Sequence, residues 1–239
     1  MNSELLNKHL DLVVKANETT NITRIVSWES AQVLHIEDSL SALPEFEKAP
    51  EGLYGDLGSG AGFPGIPIAI ETGRETVLVE SVKKKATLLE QFAQELGLSN
   101  ITVFPGRAEE LTLQKKGKFS VLSARALSQL GSLLELGSPL LKVGGQFICY
   151  KSRIEEEELA HACSLEQKLG LRLISDRGFY LSDNETFRRI LVFEKFKNAS
   201  IKLPRRNGMA QRNPRSFYIL VFDVSRETSK NCRRLNMAL

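Results

Sequence analysis

The chain has 239 residues, 42% of them hydrophobic and 26% charged, proportions that fit a globular fold and exclude a disordered or collagen-like chain. No apolar run approaches the ~18 residues of a membrane span. Three cysteines without paired spacing and three scattered histidines (His9, His35, His161) argue against a zinc site and for a reducing cytoplasm. The net charge of +3 is unevenly placed: residues 195–239 hold eleven Lys/Arg against Asp223 and Glu227, a balance of +9 that leaves −6 on residues 1–194. A basic end on an acidic body suggests either a polyanion partner or a solvated basic tail.

The first fifteen residues are amphipathic and charged rather than signal-like. Ser3 to Ala16 reads as a helix with Leu5, Leu6, Leu10, Val13 and Val14 on one face. After a polar turn, Trp28 to Leu40 reads as a second helix with Ser27 as its N-cap. His35 and Asp38, three apart, can meet on one helix face; a metal, a base and a surface or interdomain hydrogen bond are all open readings. These helices are expected to cap the domain, as residues 1–50. From Leu53 strand and helix alternate. The expected strands are Leu53–Leu57, Thr76–Glu80, Ile101–Phe104, Ser120–Ser123 and Gln146–Tyr150. Helices are expected at Pro64–Thr72, Lys84–Leu96 (closed by Gly97), Leu130–Leu141 and Ile154–Leu169. Val143-Gly144-Gly145 reads as the turn into the fifth strand. Arg172–Tyr180 and Arg188–Phe196 form a hairpin pattern. Lys83-Lys84-Lys85 opens a helix, where the macrodipole disfavours cations; a polyanion role and a solvated face both remain open. Alternating βα units predict a parallel sheet with helices on both faces over residues 51–200, followed by a basic segment over 201–239. Phe217 to Val224 could add a strand.

The organising stretch is Asp56-Leu57-Gly58-Ser59-Gly60-Ala61-Gly62-Phe63-Pro64-Gly65, a glycine-rich turn from strand to helix. Glycines admit φ > 0 and close approach of a ligand to the backbone, and the helix N-terminus offers unpaired N–H groups. About twenty residues on, Glu80 ends the second strand, where a carboxylate can bind ribose hydroxyls. Gly60 to Gly65 formally fits the dinucleotide pattern G-x-G-x-x-G. The earlier Asp56-x-Gly58-x-Gly60-x-Gly62 spacing resembles the first motif of class I S-adenosylmethionine (SAM) methyltransferases. Ligands of such sheets lie beyond the carboxyl ends of the strands, where Asp56, Gly58, Glu80, Ala108, Glu109, Arg125 and Lys151 all fall.

The pieces Thr20-Asn21-Ile22-Thr23, His35-Ile36-Glu37-Asp38-Ser39-Leu40, the glycine loop with its Phe63-Pro64-Gly65, Gly106-Arg107-Ala108-Glu109-Glu110, Ser123-Ala124-Arg125-Ala126, Leu140 to Gly145 and Leu203-Pro204-Arg205-Arg206-Asn207-Gly208 go further. Together the chain resembles the glucose-inhibited division protein B (RsmG) family of bacterial 16S rRNA guanine-N7 methyltransferases. The resemblance implies a Rossmann-like class I α/β fold, with a mostly parallel seven-stranded sheet, a C-terminal antiparallel hairpin and an N-terminal helical cap. It implies SAM as methyl donor, and SAM contacts at Gly58, Phe63, Ala108, Glu109 and Arg125, beside Asp56, Gly60 and Glu80 read from the loop itself. Phe63 would supply an apolar wall, Glu109 would accept from the adenine amino group, and Arg125 would face cofactor or RNA. No general base is expected. Lys151, Arg205, Arg206 and Arg212 are candidate phosphate contacts. The expected partner is 16S rRNA or the small ribosomal subunit, met by a monomer with neither membrane nor metal. Two features depart from the family: Ala210 stands where a proline is usual, and residues 215–239 extend past its normal end.

Overall fold

All four residues of Tyr54–Leu57 (β1) and of Thr76–Val79 (β2) are buried, as expected for parallel strands covered on both faces. The computed structural model describes residues 2–24 and 27–215, so the possible strand at Phe217–Val224 lies outside the described residues. Ile101–Phe104 (β3), Phe119–Arg125 (β4) and Leu141–Lys151 (β5) complete the parallel part. Leu171–Tyr180 (β6) and Phe187–Lys195 (β7) add the antiparallel hairpin. The order is β3-β2-β1-β4-β5-β7-β6, with β7 antiparallel to both β5 and β6. The chain reverses direction across the sheet between β1 and β4, which places a crevice at their carboxyl ends.

Gly65–Thr72 (α5) and Lys83–Glu95 (α6) cover one face of the sheet. Ala108–Lys115 (α7), Leu130–Gly137 (α8), Glu156–Ser164 (α9) and Glu166–Leu169 (α10) follow the other strands, and Met209–Arg212 (α11) closes the described chain. On one face Leu111, Leu133, Leu134 and Ala162 pack onto Leu122, Phe147 and Phe193. On the other, Ile66, Leu89 and Phe92 pack with Leu6, Leu10 and Val13 of Ser3–Asn17 (α1). The N-terminal helices therefore bury an apolar stripe against the sheet's own helices. Gly55 lets β1 pass beneath Phe119 and Leu122; a Cβ there would meet their side chains at 2.7 and 2.8 Å.

Several expected boundaries shift. The second N-terminal helix is Trp28–Ala31 (α2), a π-helical turn over Gln32–Glu37 and Asp38–Leu40 (α3), with Ser27 capping Ser30 N–H as expected. A further helix, Leu43–Lys48 (α4), follows. The stretch after β3 forms α7, whose Glu110 carboxylate returns to the Arg107 N–H at 2.8 Å. Strand β5 begins at Leu141, not Gln146: Leu141 pairs with Phe119 and Gln146 with Val121, so the Val143-Gly144-Gly145 turn is an irregularity within the strand. The helix expected over Ile154–Leu169 breaks at Leu165 into α9 and α10.

Candidate active site

The glycine loop leaves β1 with Gly58, Gly60 and Gly62 at φ of 74°, 59° and 95°, all in the left-handed region that side chains disfavour. Each turn position has its own neighbour. A Cβ on Gly58 would strike Leu127 at 2.6 Å, and one on Gly62 would strike Ile66 at 2.6 Å and His9 at 3.0 Å. Gly60 differs: a Cβ there would meet only the Gly58 carbonyl, at 3.9 Å. The loop is pinned from below, where Gly58 and Ser59 N–H groups donate to Val79 O at 2.8 and 3.1 Å. Glu80 pins it from the side: its Oε2 accepts Gly60 N–H at 3.0 Å and its Oε1 accepts Val82 N–H at 2.7 Å. The carboxylate expected at a ribose thus also braces the loop.

Asp56 is fully buried behind the loop. Its Oδ1 accepts from Ser123 Oγ at 2.6 Å, and that serine in turn accepts from the Tyr54 hydroxyl at 2.6 Å. Its Oδ2 is buried with no hydrogen-bond partner of good geometry among the described residues. Desolvation lifts its pKa to about 6, against weaker pulls from Ser123, Ser59, Arg125 and the Gly65 backbone.

Arg125, at the end of β4, is gripped from the N-terminal helices. Its Nη1 donates to Leu34 O and to Asp38 Oδ2, both at 2.9 Å, and its Nη2 donates to His35 Nδ1 at 3.1 Å. The His35 Nε2–H then faces Thr23 Oγ1 at 2.9 Å. Asp38 holds a second guanidinium, with Arg188 Nε at 2.9 Å from its Oδ1. His35 and Asp38 therefore point inward to Arg125 and are not a surface pair. The π-helical turn carries Leu34 and His35, and such turns recur at functional sites. Ala126, directly after Arg125, has φ 53° without being glycine, a strained position of the kind found at ligand clamps.

The Phe63 ring lies between two imidazoles. His35 stacks on it at 4.3 Å and 4°, and His9 lies 4.5 Å away at 33°. The expected apolar wall of the cofactor pocket is thus a ring already faced by protein. His9, which sequence reasoning left among the scattered histidines, donates from Nε2 to Ala61 O at 3.1 Å and is fully buried. Its signal was its place in the Leu6, Leu10, Val13 stripe. Burial lowers the His9 pKa to about 4. Burial and then the Arg125 charge lower that of His35 to about 3. Both are neutral struts at pH 7, not proton shuttles.

Ala108 and Glu109 begin α7 beside the loop. Glu109 Oε1 accepts the Gly208 N–H at 2.7 Å and Glu110 Oε1 accepts Asn207 Nδ2 at 2.7 Å, so the Leu203–Gly208 segment folds back onto the place expected for adenine. Two candidate phosphate contacts are engaged within the fold. Arg205 forks onto the buried Glu135 through Nε and Nη2, and Lys151 bonds Glu158 at 2.7 Å and Ser128 O at 3.1 Å. Both serve as struts, because a carboxylate partner sits close by in the fold. Arg206 and Arg212 are exposed. We expect Arg205→Gln to lower stability by about 1–3 kcal/mol, because Glu135 keeps Arg215 Nε at 3.0 Å, and to leave the salt dependence of RNA binding unchanged. A urea titration paired with RNA binding at several salt concentrations checks this.

Residues 2–178 match the family described as rRNA small subunit methyltransferase G, GidB. The chain belongs to that family. Ribosomal RNA small subunit methyltransferase G of Deinococcus radiodurans is 36% identical over 208 residues, covering 86% of this chain and 82% of the relative. The protein of the same name from Alkaliphilus metalliredigens is 33% identical over 207 residues, covering 85% and 87%. Among solved structures, the M1A22 tRNA methyltransferase TrmK of B. subtilis superposes with TM-score 0.53 at 19% identity, covering 65% of this chain and 64% of that one. M. jannaschii TYW2 in complex with AdoMet does so with TM-score 0.53 at 14% identity, covering 70% and 80%. At such identities the likeness speaks for the fold, the Rossmann-like methyltransferase sheet. Among the described residues no helix is long and apolar enough to cross a membrane, and no group of His, Cys, Asp and Glu could hold a metal ion.

Proposed function

We propose that the chain transfers a methyl group from SAM to N7 of one guanine of 16S rRNA, acting as a monomer in the cytoplasm on the RNA or the small subunit. The observation that carries the cofactor half is the loop itself. Gly60 is the turn residue with open space beside it, its N–H is held by Glu80, and a buried, unpartnered Asp56 oxygen lies behind it. Such a cradle suits a ligand that presses against main chain and brings a donor toward a buried acceptor. By the family resemblance Gly58, Phe63, Ala108, Glu109 and Arg125 hold SAM, with Asp56, Gly60 and Glu80 supporting them.

Bound SAM supplies an electrophilic methyl on a sulfonium. The chain has to align it. Guanine N7 carries a free lone pair, so no side chain must remove a proton, and proximity and orientation supply the rate. The neutral His9 and His35, one bonded to Ala61 O and the other to Arg125 and Thr23, agree with this. Arg125, positioned by Asp38 and His35, still has its Nε–H to offer a ligand anion. Its charge also argues against a seat directly over a guanine that becomes cationic.

Gly60→Ala separates ligand loss from misfolding. The left-handed φ costs about 1–2 kcal/mol, and the new methyl group enters the open space. A calorimetric titration is expected to show SAM affinity down at least about tenfold, which is about 1.4 kcal/mol. Unchanged affinity would place the cofactor elsewhere.

A further inference from the structure

Three exposed stretches flank the sheet's carboxyl edge, two directly after β2 and β3 and one on the returning segment that lies over α7 and α8. Lys83 and Lys84 open α6 directly after β2, Arg107 precedes α7 after β3, and Arg206 and Arg212 come from the returning segment that Asn207 ties to Glu110. All five are exposed, and none forms an ion pair among the described residues. Of the nearby carboxylates, Glu80 and Glu109 are buried and accept main-chain N–H groups, while Glu110 stays at the surface beside Arg107, where it accepts the Arg107 N–H and Asn207 Nδ2. The charged side chains that face outward here are therefore mainly cationic.

The lysines also sit against local preference. Cations in the first turn oppose the helix macrodipole, and α6 has neither an acidic residue in its first turn nor a side-chain cap. Glu80 answers the helix N-terminus through the Val82 N–H, but the two lysines have no carboxylate partner among the described residues. An anion from outside would supply one, acting together with the helix N-terminus. The cations are spread over three chain segments rather than converging on one point, which suits a run of phosphates and not a single phosphoryl group.

We infer that Lys83, Lys84, Arg107, Arg206 and Arg212 form the track for the phosphodiester backbone of the RNA substrate, leading it across the β2–β3 edge to the cofactor crevice. The inference rests on the proposed rRNA methyl transfer and assigns it a direction of approach. It places the RNA on the side of Glu80 and Ala108, not on the β6–β7 hairpin.

The test compares three double variants of the full chain in methylation of 16S RNA and in RNA binding between about 50 and about 200 mM salt. Lys83→Gln with Lys84→Gln, and Arg107→Gln with Arg206→Gln, remove track cations. Lys116→Gln with Lys118→Gln removes two lysines just before β4, at the opposite edge. Each track pair is expected to raise the KM for RNA about tenfold or more and to flatten the logarithmic salt slope by about 1.4, at ~0.7 per phosphate contact on a single strand. Thermal midpoint and SAM affinity should stay at the wild-type values, and the control pair should move nothing. An equal loss in the control pair, an unmoved KM for RNA, or a parallel loss of SAM binding overturns the track. An unmodified protein that methylates RNA while the track variants match it sinks this inference alone. An unmodified protein that neither binds nor methylates RNA sinks the proposed function with it.

Discussion

Replacing Asp38 by alanine is expected to lower the unfolding free energy by about 3–5 kcal/mol, the usual cost of breaking a buried ion pair from one side. Asp38 is 1% exposed and holds both Arg125 and Arg188 at 2.9 Å. Its removal leaves two partly buried guanidiniums facing each other without a counterion. Arg125 would keep only Leu34 O and His35, so turnover should fall further than the folded fraction does. Asp38→Asn, which retains an acceptor oxygen, should lose less. Urea unfolding at fixed pH, with the slope unchanged, measures the first effect. A loss below about 1 kcal/mol would mean that the cluster is not the clamp described.

The spacing of His35 and Asp38 was visible in the sequence, but their direction was not. A helix read at 3.6 residues per turn puts them on one face without saying which way it looks, and the π-helical turn over Gln32–Glu37 shifts the face by a residue. His9 was legible only as a polar member of an apolar stripe. The strand-turn-helix position of Asp56, the glycines and Glu80 was legible because such a unit is local, as are the turn's φ requirements. The ion pair of Arg205 was not legible because its partner, Glu135, stands seventy residues away, and charge counting cannot find such a pair. Helix α7 was passed over because Arg107 is a poor N-cap by type, although Glu110 supplies the returning half of a capping box.

Acid should destabilise the protein between pH 7 and pH 5 through its buried histidines. His9 and His35 have folded pKa values of about 4 and about 3, depressed mainly by burial from 6.5. A depressed histidine contributes stability that is present above its unfolded pKa. That stability is lost as pH falls below 6.5 towards the folded value, because the unfolded chain takes up the proton first. By pH 5 each histidine removes on the order of 2 kcal/mol. Asp56 acts in the opposite sense. Its pKa is raised to about 6, so its ionisation costs stability at neutral pH, and about 1 kcal/mol returns as pH falls to 5. The net expectation is a loss of about 3 kcal/mol between pH 7 and pH 5. His9→Gln keeps a donor for Ala61 O and cannot protonate, so it should remove about half of the histidine loss. Chemical denaturation at several pH values checks both the slope and the variant. A flat profile from pH 7 to 5 would contradict neutral, buried imidazoles at Phe63.

The measurement that tests the central claim most directly is methyl transfer to a mapped position. Purified protein is incubated with labelled SAM and with 16S RNA or small subunits from a strain lacking this methyltransferase, and the label is located by cleavage at N7-methylated guanine. The account predicts label at a single guanine N7, and the better of the two substrates identifies the form recognised. Label on a base carbon or an exocyclic nitrogen, or no label while SAM binds normally, would contradict it.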